Sequence, residues 1–262
     1  MGAVLRVSVW QHAAALDPAE NRGALAGTDV PAGTDLLVLP EAFARDFGDP
    51  GSALAPYAEP LDGPFVGALT GLAARSGAAV LAGMFESAED SEVDPGRPFN
   101  TLALVGPTGL LASYRKIHLY DSFGTRESDV LSPGPVAPVV VDLGGFRVGL
   151  MTCYDLRFPE LARALSAAAA EVLVVPAAWV AGPGKVGQWQ ALLRARAIEN
   201  LCWVVAAAQP GPRYCGHSTV ISPTGDVVVE AGEDDAWLSA ELDLGSVHEA
   251  RRTNPSLRNR RM

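Results

Sequence analysis

The sequence predicts an α/β chain in which two β-sheets lie between layers of helix. Three observations lead there. Short apolar runs rich in β-branched residues alternate with segments of helical period. Two hairpins interrupt that alternation, over 99–115 and 218–229. Finally, residues 4–120 and 137–242 share one strand–helix–strand–hairpin rhythm, with no composition shift or Ser/Gly-rich linker between them. The last point argues for one domain over 1–262, ending in a basic tail from about 247, rather than two.

The elements follow in order. Residues 4–10 read as a first strand. Residues 12–34, broken by Pro18, Gly23, Gly27, Pro31 and Gly33, leave room only for a short, poor helix. Asp35 to Leu39 is a buried strand that runs into Pro40-Glu41, and 48–60 is loop. Phe65, Leu69 and Leu72 space a helix over 64–75, stopped by Gly77. Residues 78–85 are the next strand, and 87–97 an acidic loop. Two strand-like runs around Gly106-Pro-Thr-Gly109 make a hairpin that leads into Tyr114-Arg115-Lys116. Residues 121–135 read as loop and 137–142 as strand.

The strand over 146–152 runs into Cys153, and Leu161, Ala164 and Leu165 then mark a helix that Ala167–Ala170 closes. Residues 172–176 are a strand, 181–187 loop, and 188–200 a helix with Trp189, Leu192, Leu193 and Ala197 on one face. Strands over 201–207 and 236–242 flank the second hairpin. The Arg-rich tail from Val247 reads as a solvated or packing segment.

Composition excludes several classes. A net charge of −10 argues against nucleic acid and anionic membrane as partners. Hydrophobic residues make up 48% of the 262, ample for a core, yet no run approaches the ~20 apolar residues of a membrane span. The N-terminus has no basic region and no long apolar stretch, so it reads as a strand rather than a signal peptide, and the cytoplasm is the expected compartment. Three cysteines (153, 202 and 215) are no disulfide framework. Four scattered histidines and the lack of metal or dinucleotide motifs point to no metal and no cofactor.

Glu41, Lys116 and Cys153 each follow a strand-like run. Residues at the carboxyl ends of strands in an α/β sheet share one rim, where ligands bind, so the three can converge from far apart. Cys153 alone reads first as a core cysteine, a common fate of free thiols, and Glu41 alone equally as a rim carboxylate. Together they suit nucleophilic chemistry. A thiolate attacks an acyl or nitrile carbon, a carboxylate moves the proton, and an ammonium stabilises the oxyanion. The helix expected after Cys153 would favour its thiolate.

Six pieces, in order, resemble the nitrilase superfamily of carbon–nitrogen hydrolases: Leu39-Pro-Glu41, Tyr114-Arg-Lys116-Ile-His-Leu, Cys153-Tyr-Asp-Leu-Arg-Phe-Pro-Glu160, Pro176-Ala-Ala-Trp179, Ala195-Arg-Ala-Ile-Glu-Asn200, and Gly216-His-Ser before Pro223-Thr-Gly225. The resemblance implies a four-layer αββα sandwich with Glu41 as general base, Lys116 as oxyanion stabiliser and Cys153 as nucleophile. It implies a second glutamate, matched by Glu127, and an oxyanion-hole N–H from Tyr154. It also implies a homodimer or larger homo-oligomer across the helix after the nucleophile.

The Cys153 context looks most like the branch acting on ω-amides of dicarboxylates and on deaminated glutathione. A small carboxylate-bearing amide, converted to acid and ammonia through a Cys153 thioester, is then the expected substrate. Arg157 could pair with its carboxylate or make a structural salt bridge. Tyr120, Phe123 and Trp179 could wall the pocket, Trp179 equally as core. The chain departs from that branch at Gln188, where His before Trp is usual, at Trp179, where Phe is usual, and in its eroded first helix; its loop between Lys116 and Glu127 is shorter than in many superfamily relatives. A nitrilase or N-carbamoyl amino acid hydrolase would use the same trio. A thiol redox sensor, with Cys202 or Cys215 resolving an oxidised Cys153, is the reading from a different class.

Overall fold

A computed structural model describes residues 2–88 and 96–261. In chain order it contains β1 (Val4–Gln11), α1 (Pro18–Gly27), β2 (Leu36–Val38), α2 (Pro64–Ser76), β3 (Ala79–Glu86), β4 (Phe99–Gly106) and β5 (Gly109–Arg115). A small hairpin, β6 (Asp121–Ser122) and β7 (Thr125–Arg126), follows. The second half holds β8 (Val140–Leu143), β9 (Phe146–Leu150), α3 (Pro159–Ala167), β10 (Val172–Ala177), α4 (Lys185–Asn200) and β11 (Trp203–Ala208). The chain closes with β12 (Thr219–Ile221), β13 (Val227–Glu230), β14 (Ala236–Asp243) and α5 (Leu244–Thr253).

Two six-stranded sheets result, ordered β14-β1-β2-β3-β4-β5 and β13-β12-β11-β10-β9-β8. Each has three parallel strands at its heart, β1-β2-β3 and β9-β10-β11, extended by antiparallel neighbours. Alternation in the strands shows why the sheets stack. Leu36 and Val38 of β2 join Val7 and Val9 of β1 and Leu81 of β3 in a core shared with Leu150, Val174 and Val205 of the other sheet. The intervening Leu37, Val80 and Ala82 face away and pack with Phe65, Leu69 and Leu72 of α2. Helices α3 and α4 cover the outer face of the second sheet. The four-layer αββα sandwich is therefore present, its two middle layers joined chiefly through β1 on β11.

The local signals act as expected at α2. Pro64 opens it, and Gly77, left-handed at φ 76°, closes it. Elsewhere the structure corrects the sequence reading. The loop expected over 121–135 contains the β6–β7 hairpin, whose two-residue turn Phe123-Gly124 has φ of 52° and 81°, the signature of a primed turn. The helix after Cys153 opens at Pro159, where the residue pattern places its first turn, and a 3₁₀ turn over Cys153–Arg157 precedes it. It ends at Ala167 rather than Ala170. The arginine-rich tail begins inside helix α5, which Asp243 caps with two side-chain hydrogen bonds to backbone N–H groups. Of the acidic loop expected over 87–97, residues 89–95 lie outside the described part.

Gly83, in mid-β3, is where the first sheet meets the loop carrying Glu41. A Cβ there would lie 2.4 Å from the Ala42 nitrogen and 2.7 Å from the Glu41 Cα, backbone atoms that cannot swing aside. Gly83→Ala should therefore lower stability by about 1–3 kcal/mol, the usual cost of overpacking, measured by chemical denaturation. Wild-type stability in that variant would show that the loop is not clamped as described.

Candidate active site

Glu41, Lys116 and Cys153 do meet, at one rim and between the two sheets. Glu41 follows β2, Lys116 follows β5, and Cys153 lies three residues beyond β9. Strands β2, β3 and β5 run the same way, because β3, β4 and β5 alternate in direction. The ends of β2 and β5 thus open on the same side, and so does the start of β4, which supplies Asn100.

The arrangement is built around a buried ammonium. Lys116 Nζ donates to Glu41 Oε1 at 2.8 Å and to Glu127 at 2.9 and 3.1 Å. Lys116 and Glu41 are 2% and 1% exposed, respectively. Burial pulls the lysine towards its neutral form, but the charges of Glu127 and Glu41 outweigh it and hold its pKa well above the ordinary value. Each carboxylate has further donors. Asn100 Nδ2 donates to both, at 2.8 Å to Glu41 and 3.0 Å to Glu127. The Ala178 N–H, just past β10, donates to Glu41 Oε2 at 2.7 Å, and the Tyr120 N–H donates to Glu127 Oε2 at 2.6 Å. Gln209 Nε2, just past β11, donates to the Glu41 carbonyl at 3.0 Å. Two carboxylates and one ammonium leave the cluster one negative charge in excess, met by the N–H donors around it.

Cys153 sits beside this cluster, within hydrogen-bonding reach of Glu41. Its backbone is left-handed at φ 45°, and so is that of Ala42, next to Glu41, at φ 55°. Such a conformation costs a non-glycine residue on the order of 1–2 kcal/mol and gathers at functional sites. A buried carboxylate holds the turn in place. Asp155, fully buried, accepts from the Thr152 N–H at 3.0 Å, the Tyr114 hydroxyl at 2.6 Å and the His118 N–H at 3.1 Å, with the His118 ring at 2.7 Å. Tyr114 and His118 flank Lys116 in sequence, so Asp155 fastens the lysine segment to the cysteine turn. Arg196 completes the attachment by donating twice to the Leu156 carbonyl, at 2.7 and 3.1 Å.

The thiol departs from expectation. Burial pushes its pKa well above the ordinary value, the Glu41 charge and hydrogen bond add to that, and Lys116 offsets only part. The helix start expected to favour the thiolate is several residues away, and desolvation wins. Cys153 rests as a thiol beside a carboxylate that can take its proton.

A cavity of about 330 Å³ opens above these groups. Tyr154, Arg157, Tyr120 and Trp179 line it, as the sequence suggested. Phe123 does not line it and stands at the hairpin tip, 68% exposed, a rim residue rather than a wall. Arg157 packs its guanidinium 4.8 Å from the Trp179 ring centroid and donates to Gln188 at 2.7 Å. It makes no ion pair with any carboxylate among the described residues, so the salt-bridge alternative falls. Asn100, Asp155, Gln209 and Lys185 were not singled out from the sequence. Asn100, one residue into β4, carries the nearest thing to a signal, an amide in an otherwise apolar run. Among the described residues, no group of three His, Cys, Asp or Glu side chains is placed to hold a metal ion, and no helix is long and apolar enough to cross a membrane.

The profile of the carbon–nitrogen hydrolase family matches residues 7–252. The chain belongs to the carbon–nitrogen hydrolase family. This hydrolase is 40% identical over 227 residues to deaminated glutathione amidase of Escherichia coli O157:H7, across 86% of this chain and 84% of that protein. Among solved structures, a CN-hydrolase superfamily protein from Xanthomonas campestris, with an arsenic adduct in its active site, superposes with a TM-score of 0.85 at 31% identity, over 99% of this chain and 98% of that one. A glutamate-to-glutamine variant of an amidase from Nesterenkonia sp. AN1 superposes with a TM-score of 0.77 at 28% identity, covering 99% and 95%. In that protein the acetamide moiety of fluoroacetamide is added covalently at the active-site cysteine. The chain is thus an enzyme of the amidase type, as its resemblance implied.

The raised thiol pKa gives a sign that can be checked. Glu41→Gln removes the negative charge that opposes thiolate formation, so Cys153 should ionise at lower pH than in the wild type, even as activity falls. The readout is thiolate absorbance against pH, referenced to Cys153→Ala. A titration that stays put or moves to higher pH would contradict the assigned cause.

Proposed function

We propose that this hydrolase converts a small carboxylate-bearing amide to its acid and amine, ammonia when the amide is primary, through a thioester on Cys153. The observation that carries this reading is one cavity in which a thiol, a lysine held between two glutamates and an arginine with no carboxylate partner among the described residues all meet. The E. coli relative named for deaminated glutathione points to the same substrate class.

The chemistry follows from the geometry. Glu41 takes the Sγ proton as sulfur bonds to the amide carbonyl carbon, and the C=O electron pair moves onto oxygen. Lys116 and the Tyr154 N–H face the resulting oxyanion, in a site where water does not screen them. Protonated Glu41 passes its proton to the amide nitrogen, the C–N bond breaks, and the amine leaves. Water then attacks the thioester while Glu41 takes a proton from it, and collapse of the second intermediate returns the acid and the thiol. Glu127 keeps Lys116 charged and aimed throughout. Arg157 pairs with the substrate carboxylate and so selects acidic amides.

A redox role for the thiols finds no support. Burial pushes Cys202 and Cys215 up to about 12, the opposite of the accessible, acidic thiolate that oxidation needs.

Two experiments test the proposal. Acid-quenched turnover of α-ketoglutaramate or deaminated glutathione should leave an acyl group on the Cys153 peptide, seen by mass spectrometry and absent from Cys153→Ala, which should be inactive but folded. Turnover in that variant, or faster turnover of nitriles or N-carbamoyl amino acids, would overturn the assignment. Separately, Arg157→Ala should cut kcat/KM for acidic amides by about ten- to a hundredfold, the worth of a charged hydrogen bond, and hardly touch neutral amides. Equal losses would remove its role.

A further inference from the structure

Two carboxylates stand near one thiol, and the charge of each opposes its ionisation. Which of them takes the Cys153 proton is decided by the donors already bound to them. An ionised carboxylate offers about four lone-pair sites, two on each oxygen. At Glu127 each oxygen meets two donors. Its Oε1 accepts from Asn100 Nδ2 at 3.0 Å and from Lys116 Nζ at 3.1 Å. Its Oε2 accepts from Lys116 Nζ at 2.9 Å and from the Tyr120 N–H at 2.6 Å. Glu41 falls one donor short. Its Oε1 accepts from Lys116 Nζ and Asn100 Nδ2, both at 2.8 Å. Its Oε2 accepts from one N–H among the described residues, that of Ala178 at 2.7 Å. The open place in the cluster is therefore on Glu41 Oε2, and Cys153 lies within hydrogen-bonding reach of that side chain.

Asn100 creates the difference. Its side-chain amide has two N–H groups and gives one to each glutamate. Its Oδ1 is buried and accepts from no donor among the described residues. Turning the amide over would lose both bonds and set a carbonyl dipole against two carboxylates, so the charges themselves fix its orientation. Sheet pairing fixes its place. Asn100 stands opposite Phe85 of β3, and its carbonyl accepts from the Lys116 N–H at 2.8 Å. Asparagine and lysine are thus neighbours across the sheet, and both reach the same two oxygens, Glu41 Oε1 and Glu127 Oε1. Asn100 is 1% exposed and lies behind the glutamates, off the cavity wall.

We propose that Asn100 is a positioning residue that confines the travelling proton to Glu41 Oε2. With Oε1 closed by Asn100 and Lys116, the Sγ–H bond breaks towards Oε2 as the sulfur electron pair bonds to the amide carbon. The same oxygen then returns the proton to the nitrogen that leaves. Take-up and return occur at one atom, aimed by the Ala178 N–H at the end of β10. Asn100 closes Glu127 as well, so that carboxylate serves as a fixed counter-ion of Lys116 and not as a second base. This rests on the amidase reading above, in which Glu41 moves the proton in both directions.

Asn100→Leu removes both N–H groups at similar size, and Asn100→Ser leaves one donor. Rates of α-ketoglutaramate hydrolysis against pH read the effect, with folding checked by circular dichroism. In Asn100→Leu, kcat should fall about ten- to a hundredfold, the worth of a charged hydrogen bond, while KM hardly changes, because Asn100 does not touch the substrate. A carboxylate stripped of a donor keeps its proton to higher pH, so the acid side of the kcat/KM profile should also move to higher pH. Asn100→Ser should lie between that variant and the wild type in both respects. Alkylation of Cys153 by iodoacetamide, followed against pH by mass spectrometry, needs the same proton transfer and should show the same displacement. An unmoved acid side, a loss carried by KM, or failure of both variants to fold would overturn the proposal, since Asn100 would then be idle or purely structural. Ammonia release by the wild type judges the amidase reading separately, because alkylation needs no turnover.

Discussion

An ammonium sealed between two carboxylates is the constraint on which the rest of the site depends. Lys116 could not remain charged at its depth without Glu41 and Glu127, and the two glutamates are held in place by Lys116 and the N–H groups that surround them. The desolvation of three ions is offset only because nearly every lone pair has a donor. That requirement explains why the ends of so many strands converge on the same few atoms. Removing any one donor leaves a buried charge exposed to a low-dielectric surrounding.

The same constraint fixes the state of the nucleophile. A cluster with one excess negative charge cannot sit beside a stable thiolate, and burial alone would oppose one. The cysteine therefore rests protonated, its proton beside the acceptor that will remove it. Base and nucleophile are paired by position rather than by a pre-ionised sulfur. The left-handed backbones at Ala42 and Cys153 fit this picture, because the sheets and the Asp155 network over-determine both turns and can hold them in conformations that isolated residues avoid.

Much of this was legible in the sequence. Strand-end positions allowed Glu41, Lys116 and Cys153 to share a rim, and the six resembling pieces singled out that trio, the family and its layering. Remote contacts were less legible. Ala178 meets Glu41 through a backbone N–H across 137 residues, and a backbone donor leaves no mark in a side-chain pattern. Asn100 and Asp155 act through sheet pairing and turn geometry that only the folded chain defines. Helix α5 was hidden because it buries only two residues, Val247 and Ala250, among polar and arginine neighbours. The sign of the Cys153 shift was misread because a helix start is visible in sequence while burial is not. The departure at Gln188 was visible as a difference, but its meaning, a partner for Arg157, needed the neighbours that the fold supplies.

Whether Lys116 compensates both glutamates is tested most directly by the unfolding energetics of a paired substitution. Lys116→Met should cost about 3–5 kcal/mol, the usual penalty for breaking a buried ion pair, with Lys116→Met/Glu127→Gln recovering much of the loss but no activity. If Lys116→Met proved as stable as the wild type, the buried ammonium would not be what holds the two carboxylates in place.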